Sequence, residues 1–319
     1  MAIEALVRRN VKLLLYAFVL STLALLLIYG AWTAIVSTKV VRINLDATAR
    51  QMARRKIMEE YCLTHSYEKE PTVNRDSLGY IVVDDEHKII YCTIPKVSTT
   101  TWKNVLAKLR GIKLKNDKSV HEWDLWNRLY QYNEEERAIR IKTYFKFLFV
   151  REPLKRLLSA YKDKFIGGDA KLSRLDRRYI INKYRPQDLN KNENFVSFAE
   201  FIKYFSEDIP RNQHWRQYEK LCHPCLVNYN FIGHLETMAE DAPLLLKMAG
   251  IDDRVTFPPI HASTNTDEVL DYYSQVPTEY IKQLGELYRS DFEMFEYEYL
   301  GAVKPLLRHN ASKEDNSNR

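Results

Sequence analysis

Two apolar runs in this 319-residue chain each end in a short polar loop that leads directly into a helical pattern. The first run, Lys88–Ile94, precedes a helix predicted from Thr100 to Leu109. The second, Thr143–Val150, precedes a helix predicted from Leu154 to Phe165. Strands that feed helices in this way are typical of βαβ units. The predicted fold class is therefore α/β, a P-loop-like three-layer sandwich around a central, mostly parallel sheet.

The loop after the first strand carries groups that suit a phosphate or sulfate. Lys96 supplies a positive charge, and four hydroxyl side chains follow it from Ser98 to Thr101. The amide groups at a helix N-terminus are unpaired and attract anionic oxygens. The segment lacks the glycines of G-x-x-x-x-G-K-[ST], so it resembles a P-loop only in position. A Ser/Thr helix cap beside an exposed lysine remains the alternative.

The loop after the second strand repeats this logic with arginine. Arg151 follows the strand directly, and Arg156 and Ser159 lie on the helix behind it. Open α/β sheets bind ligands at the carboxyl ends of their strands, and a guanidinium can hold a phosphate through two hydrogen bonds. The alternative is an arginine paired with Glu152 or Asp163.

Composition limits the class of protein. Hydrophobic residues make up 45% and charged residues 28%, which excludes disorder, collagen and coiled coil for most of the chain. The uncharged stretch Leu13–Val36 is long enough to cross a bilayer and predicts a signal-anchor, with a cleaved signal peptide as the alternative. The predicted organisation is a cytoplasmic tail (1–12), the span (13–36), a stem (37–79), a lumenal domain (80–301) and a flexible tail (302–319). The sequon at Asn310 predicts a glycosylation site in that tail.

Several segments together resemble the Golgi carbohydrate sulfotransferases, in the branch that contains the chondroitin and dermatan 4-O-sulfotransferases. They read CTIPKVSTTTWK, VREPLKRLLSAYKDKF, HWRQYEKLCHPCLVNYNFIGHLETMAED and YRSDFEMFEY. The likeness covers roughly Tyr91 to Tyr297, with a divergent centre from Gly168 to Pro210. The sequence departs from the family pattern at five positions, namely Ser98, Thr99, Thr101, Asn104 and His234. These departures indicate a divergent member.

The resemblance implies an enzyme that transfers a sulfuryl group from 3′-phosphoadenosine 5′-phosphosulfate (PAPS) to a sugar hydroxyl, with GalNAc 4-O of chondroitin or dermatan as the expected acceptor. It implies that Lys96 binds the 5′-phosphosulfate and that Arg151 and Ser159 bind the 3′-phosphate. The full expected donor loop is Pro95, Lys96, Val97, Ser98, Thr99, Thr100, Thr101 and Trp102. No metal and no nucleic acid are expected.

The resemblance also implies a single-pass type II Golgi membrane protein with its catalytic domain in the lumen. The oligomeric state is not indicated. Another glycan acceptor, or a non-catalytic glycan-binding relative, remains an alternative. A nucleotide kinase is disfavoured, because an acidic Mg²⁺ ligand is expected where Arg151 stands.

A base for the acceptor proton should be a histidine or a carboxylate. His121, between the two loops, is the first candidate and His214 the second. As alternatives, His121 is a surface histidine and His214 packs beside Trp215. The four cysteines predict disulfides in an oxidising compartment, with three possible connectivities. A zinc site is disfavoured because only one C-x-x-C is present.

The net charge of +6 is unevenly distributed. Residues 1–56 carry +7 and residues 162–191 carry +5, so the rest of the chain is acidic. The basic segment directly after the Arg151 helix is predicted to line a cleft for a polyanionic glycan. Its predicted substrate-binding residues are Arg174, Arg177 and Arg178. The alternative is a solvated basic helix face.

Overall fold

A computed structural model of the chain describes residues 46–65, 78–116, 119–167, 170–185, 195–208, 212–259 and 265–308, with seven scattered positions between 21 and 32. The chain divides into two compact units, Met1–Ala49 and Arg50–Arg319. Most of the predicted span Leu13–Val36 lies outside the described residues, and so does Asn310. None of the helices described is both long enough and apolar enough to cross a membrane.

A five-stranded mixed sheet lies at the centre of the second unit. Its strands are β1 (Ile81–Asp84), β2 (Ile89–Cys92), β3 (Asn127–Arg128), β4 (Phe145–Val150) and β5 (Phe231–His234), in the order β3-β1-β2-β4-β5. The pairs β2/β4 and β4/β5 are parallel, whereas β1/β2 and β1/β3 are antiparallel. The predicted α/β class is confirmed, but the expectation of a mostly parallel sheet is wrong for half of the pairs.

The antiparallel half follows from the length of the β1–β2 connection. Only four residues separate the two strands, and a parallel crossover needs a dozen or more. The three parallel strands β2, β4 and β5 have their carboxyl ends at one edge. Both predicted phosphate-binding loops begin at that edge, so the sheet brings them together as expected.

Helices surround the sheet. In chain order they are α1 (residues 46–64), α2 (Thr99–Leu109), α3 (Glu134–Thr143), α4 (Pro153–Tyr161), α5 (Ala170–Tyr184), α6 (Phe198–Asp208), α7 (Tyr218–Cys222), α8 (Pro224–Val227), α9 (Met238–Met248), α10 (Thr266–Tyr273), α11 (Thr278–Leu287) and α12 (Arg289–Met294). A π-helical turn, Lys162–Ile166, continues α4. Short 3-10 turns cover Ser119–His121, Trp123–Leu125, Leu129–Gln131, Leu235–Thr237 and Gly301–Val303.

The buried residues form two clusters. The larger one surrounds the sheet, where Trp102 of α2 stacks on Phe149 of β4 with ring centroids 4.8 Å apart. The second lies among helices α4, α5, α6, α10 and α11. Because α4 follows β4 and belongs to the second cluster, the loop at Arg151 joins the two.

Helix α1 covers the free edge of β5. The Gln51 side chain donates to the Ile232 carbonyl (2.9 Å) and accepts from the Ile232 N–H (3.0 Å), as a neighbouring strand would. Arg54 reaches the same carbonyl and forms a buried ion pair with Asp241 (2.7 Å). The compact body therefore begins at Arg50, inside the segment that the sequence assigned to a stem.

The structure selects one of the three possible disulfide connectivities. Cys62 of α1 is bonded to Cys225 of α8, and Cys92 at the end of β2 is bonded to Cys222 at the end of α7. The first bond links α1 to α8. The second anchors α7 beside the loop that carries Lys96.

Candidate active site

The loop between β2 and α2 has the backbone of an anion-binding turn without glycine. Lys96 and Ser98 both adopt left-handed conformations, with φ of 74° and 64°. Residues that alternate between left- and right-handed conformations turn successive N–H groups towards one side. The N–H groups from Lys96 to Thr101 make no backbone hydrogen bond within the described chain. They remain available to an anion at the start of α2.

The side chains of this loop differ in what they can offer a ligand. Val97 and Trp102 are fully buried, so they can contribute only backbone groups. The Thr99 hydroxyl donates to the Ile94 carbonyl and closes the loop. Thr100 is exposed, and its Oγ1 lies 2.9 Å from Nε2 of His121. Lys96, Ser98 and Thr101 are partly exposed, as ligand-binding side chains should be.

Lys96 is held by an acid from the helix behind the second loop. Its Nζ lies 3.1 Å from Asp163 Oδ2, and Lys164 Nζ lies 3.2 Å from the same oxygen. Burial lowers the pKa of Lys96, and the charge of Asp163 opposes that shift. The π-helical turn carries Asp163 and Lys164, and such turns are frequent at functional sites. From the sequence, Asp163 was only an alternative partner for Arg151.

Arg151 is buried, with 4% of its surface exposed. Its backbone is fixed by Tyr218, whose hydroxyl donates to the Arg151 carbonyl (2.6 Å) and accepts from its N–H (3.0 Å). Its guanidinium makes no hydrogen bond or ion pair with a described residue. Burial lowers the pKa of Arg151, and the negative charge of Glu236 opposes this. A buried guanidinium without a direct partner fits a phosphate ligand, and Ser159 lies half-buried on the helix behind it.

Two glutamates line the second loop. The sequence suggested Glu152 only as an alternative partner for Arg151, and it gave Glu236 no role. Glu236, just after β5, accepts a hydrogen bond from the Glu152 N–H (3.1 Å) and another from the Tyr297 hydroxyl (3.0 Å). The Glu152 side chain caps α4 by accepting from the Lys155 N–H (2.7 Å). Burial raises the pKa of Glu152 to about 7. The sequence signal that could have identified Glu236 is its position just after β5, the third parallel strand.

Arg156 ties the first loop to the segment before α7. Its guanidinium donates to the carbonyls of Pro95 (3.2 Å), Arg216 (2.8 Å) and Gln213 (3.1 Å). With its donors directed at backbone oxygens, Arg156 holds the shape of the site.

The two candidate histidines lie in different environments. His214 is deeply set, and its Nδ1 lies 2.7 Å from Asn212 Oδ1, which also accepts from the His214 N–H. Because that oxygen accepts, Nδ1 carries the proton and Nε2 is the free basic nitrogen. Burial, followed by the charge of Lys164, lowers the pKa of His214 to about 3. His121 is exposed; partial burial, then Lys103 and Lys164, lower its pKa.

The basic residues predicted to meet an acidic glycan lie on α5. Arg174 and Arg178 are exposed. Arg177 instead donates to the carbonyls of Lys164 (2.9 Å) and Phe165 (2.9 Å). It therefore attaches α5 to the turn that carries Asp163. Within the described ranges, no group of histidines, cysteines and acids is arranged to hold a metal ion.

Comparison with known proteins identifies relatives. A family model described as "Sulfotransferase family" matches residues 79–298. Carbohydrate sulfotransferase 12 of Mus musculus is 32% identical over 82% of this chain and 71% of its own length. Carbohydrate sulfotransferase 11 of Rattus norvegicus is 33% identical over 81% of this chain and 79% of its own. Carbohydrate sulfotransferase 14 of Danio rerio is 36% identical over 83% and 76%. No solved structure gives a significant match.

Proposed function

The chain belongs to the sulfotransferase family and is a carbohydrate O-sulfotransferase, and we propose that it sulfates the 4-hydroxyl of GalNAc in chondroitin or dermatan. The family implies PAPS as the sulfuryl donor. The relatives support a glycan acceptor, and the choice of GalNAc 4-O rests on the sequence motifs shared with the 4-O-sulfotransferase branch.

One observation carries the proposal for the donor site. Lys96 and Arg151 lie on loops at the carboxyl ends of adjacent parallel strands, and Arg151 stands directly after its strand, where an acidic Mg²⁺ ligand of a kinase is expected. The loop amides and Lys96 would hold the 5′-phosphosulfate. The buried Arg151, with Ser159, would hold the 3′-phosphate about one strand spacing away.

The proposed reaction is an in-line displacement at sulfur. The acceptor hydroxyl oxygen forms a bond to sulfur while the bond from sulfur to the bridging phosphate oxygen breaks. The protonated Lys96 and the N–H groups of the loop stabilise the negative charge that develops on that oxygen. Most of the rate enhancement should come from positioning and from these fixed charges.

His121 is the proposed base for the acceptor proton. A base with a pKa of about 3, as at His214, is too weak to accept a proton near neutral pH. His121 keeps solvent access and lies beside Thr100 in the first loop. We expect His121→Ala to lower kcat by about 10²–10⁴-fold while the affinity for 3′,5′-ADP stays unchanged. Equal turnover in the variant and the wild type would remove His121 from this role.

The proposed location is the Golgi membrane, with the catalytic unit in the lumen. The uncharged stretch Leu13–Val36 supports a single-pass signal-anchor. Two disulfides among the four cysteines support an oxidising compartment.

A panel of glycan acceptors tests the proposed function. Purified protein is incubated with sulfur-labelled PAPS and separate samples of chondroitin, dermatan, heparosan, keratan and a neutral N-glycan, and the products are digested to disaccharides. We expect label in 4-O-sulfated GalNAc units from chondroitin or dermatan. Label in another glycan alone would show that this glycan, and not chondroitin or dermatan, is the acceptor. If no glycan is labelled while 3′,5′-ADP still binds, the protein is a non-catalytic relative.

A further inference from the structure

Lys103 in the second turn of α2 is a buried cation that the proposed mechanism does not use. The residue is 6% exposed, and its ammonium makes no hydrogen bond or ion pair with any residue that the structure describes. The nitrogen itself is not sealed from solvent. An ammonium placed in this way has lost part of its hydration without gaining a counter-charge, and an anionic ligand would supply that charge.

The charged neighbours of Lys103 do not supply the missing anion. Arg128 of β3 is also positive, and it already donates to the carbonyls of Gly79 and Trp123 and lies over the Trp123 ring. His121 is the other titratable neighbour. Burial, followed by the charge of Arg128, lowers the pKa of Lys103 to about 8, so the ammonium remains mostly charged at neutral pH and below.

The order of the strands indicates whether Lys103 lies on the donor side or the acceptor side of the proposed site. The sheet order is β3-β1-β2-β4-β5, so Arg128 on β3 and Arg151 after β4 lie on opposite sides of the loop that follows β2. The nucleotide of the donor extends towards Arg151. In an in-line displacement, the attacking hydroxyl approaches from the side opposite the leaving group. That side holds Lys103 and His121.

We propose that Lys103 binds an anionic group of the acceptor glycan, a carboxylate or a sulfate ester, on the sugar next to the one that is sulfated. This inference rests on the proposed function, because it requires an acidic glycan as the acceptor. Thr100 and Lys103 are three residues apart on α2 and face neighbouring positions, so an anion on Lys103 would place the adjacent sugar beside the hydrogen bond between Thr100 and His121. Lys103 is thus a residue that selects acidic acceptors.

Three variants separate this role from a structural one. Lys103→Met removes the charge and keeps most of the side-chain volume, and Lys103→Arg keeps the charge. Lys108→Met removes an exposed lysine from the same helix and serves as the matched control. Because Lys103→Met removes a buried unpaired charge, its free energy of unfolding in urea should equal or exceed that of the wild type.

The acceptor KM of each variant is measured with unsulfated chondroitin, carboxyl-reduced chondroitin and chondroitin that carries a 2-O-sulfate on its uronic acid. A carboxylate partner predicts that Lys103→Met raises the KM for unsulfated chondroitin about tenfold and leaves that for the carboxyl-reduced polymer unchanged. A sulfate partner predicts a rise with the 2-O-sulfated polymer alone. In either case Lys103→Arg retains part of the affinity, and Lys108→Met behaves as the wild type.

Calorimetric binding distinguishes failure of this inference from failure of the proposed function. We expect Lys103→Met to keep its affinity for 3′,5′-ADP within about twofold and to lose affinity for chondroitin in the presence of that nucleotide. An equal KM rise with all three polymers, no rise with any, or a parallel loss of nucleotide affinity would overturn the inference. If the wild type transfers no sulfate but binds chondroitin through Lys103, only the catalytic proposal fails.

Discussion

One carboxylate oxygen of Asp163 holds two ammonium groups, those of Lys96 and Lys164, within 3.2 Å. This sharing keeps two like charges next to each other in a partly buried site. A donor that brings its own negative charge can take over Lys96, and Asp163 can then remain with Lys164. In the proposed donor site, Asp163 therefore positions the Lys96 ammonium, and its attraction is shared with Lys164.

The variant Asp163→Asn tests this preparation through pH. Burial lowers the pKa of Lys96, and the charge of Asp163 raises it, so removal of the charge lowers that pKa further. A lysine is active here only when protonated, so activity is lost as pH rises through its pKa. We expect the alkaline limb of kcat/KM for the donor to move to lower pH by about one unit, because one charge at this distance shifts a pKa by about that amount. Asp163→Glu should keep the wild-type limb, and an unmoved limb in Asp163→Asn would contradict this account.

Ser98 tests whether backbone or hydroxyl groups of the loop bind the donor. Its φ of 64° suits glycine, so Ser98→Gly should keep the loop shape and the exposed N–H. We expect kcat/KM within about threefold of the wild type and a free energy of unfolding changed by less than about 1 kcal/mol. Ser98→Val, with a β-branched side chain at positive φ, should lose about 2 kcal/mol in urea unfolding. A large loss of activity in Ser98→Gly alone would assign the binding to the hydroxyl.

The residues of the site were only partly predictable from the sequence. Lys96 and Arg151 follow apolar runs directly, so their place at the carboxyl ends of strands was readable. The left-handed backbone of the first loop was not, since Lys96 and Ser98 lack the glycine signal that marks such turns. The ion pair between Asp163 and Lys96 was not predictable either. It depends on a π-helical turn and on the packing of segments that are far apart in the sequence.

Among the elements, α1 departs furthest from expectation. Its buried residues Gln51, Arg54 and Met58 recur at helical spacing, but two of them are polar. Polar residues at these positions indicate a solvated helix when only hydrophobicity is considered. For that reason the sequence predicted a stem over residues 37–79. The polar side chains are buried because they satisfy the open edge of β5 and the carboxylate of Asp241.

Removal of Arg54 should therefore damage the catalytic unit. Arg54→Ala leaves the fully buried Asp241 without its cation, and breaking a buried pair on one side costs about 3–5 kcal/mol. Arg55→Ala is the control, since Arg55 pairs with Glu59 in an exposed i,i+4 arrangement worth about 0.3–0.5 kcal/mol. Urea unfolding measures both. Equal, small losses of unfolding free energy in the two variants would show that α1 contributes little to the stability of the second unit.

At the scale of the whole molecule, the net charge of +6 is unevenly distributed along the chain. Residues 1–56 carry +7, so residues 57–319 are nearly neutral at −1. Attraction of the proposed acidic glycan must then come from local clusters, of which α5 presents the exposed Arg174 and Arg178. Arg177 belongs to the scaffold through its bonds to Lys164 and Phe165.

Charge reversal on α5 tests the contribution of this cluster. We expect Arg174→Glu with Arg178→Glu to raise the acceptor KM and to weaken its dependence on salt, because fewer ion contacts remain to be screened. The kcat at saturating acceptor should stay near that of the wild type. A KM and a salt dependence equal to those of the wild type would indicate that α5 presents only a solvated basic face.

The transfer of labelled sulfate from PAPS to chondroitin, compared between the wild type and Lys96→Ala at saturating donor, tests the central claim most directly. We expect measurable transfer by the wild type and a kcat at least about 10²-fold lower in the variant, because the charge on the leaving oxygen loses its main stabilising group. Affinity for 3′,5′-ADP should fall far less, since the proposed contact between Arg151 and the 3′-phosphate is kept. Transfer by Lys96→Ala at the wild-type rate would contradict the assignment of this site.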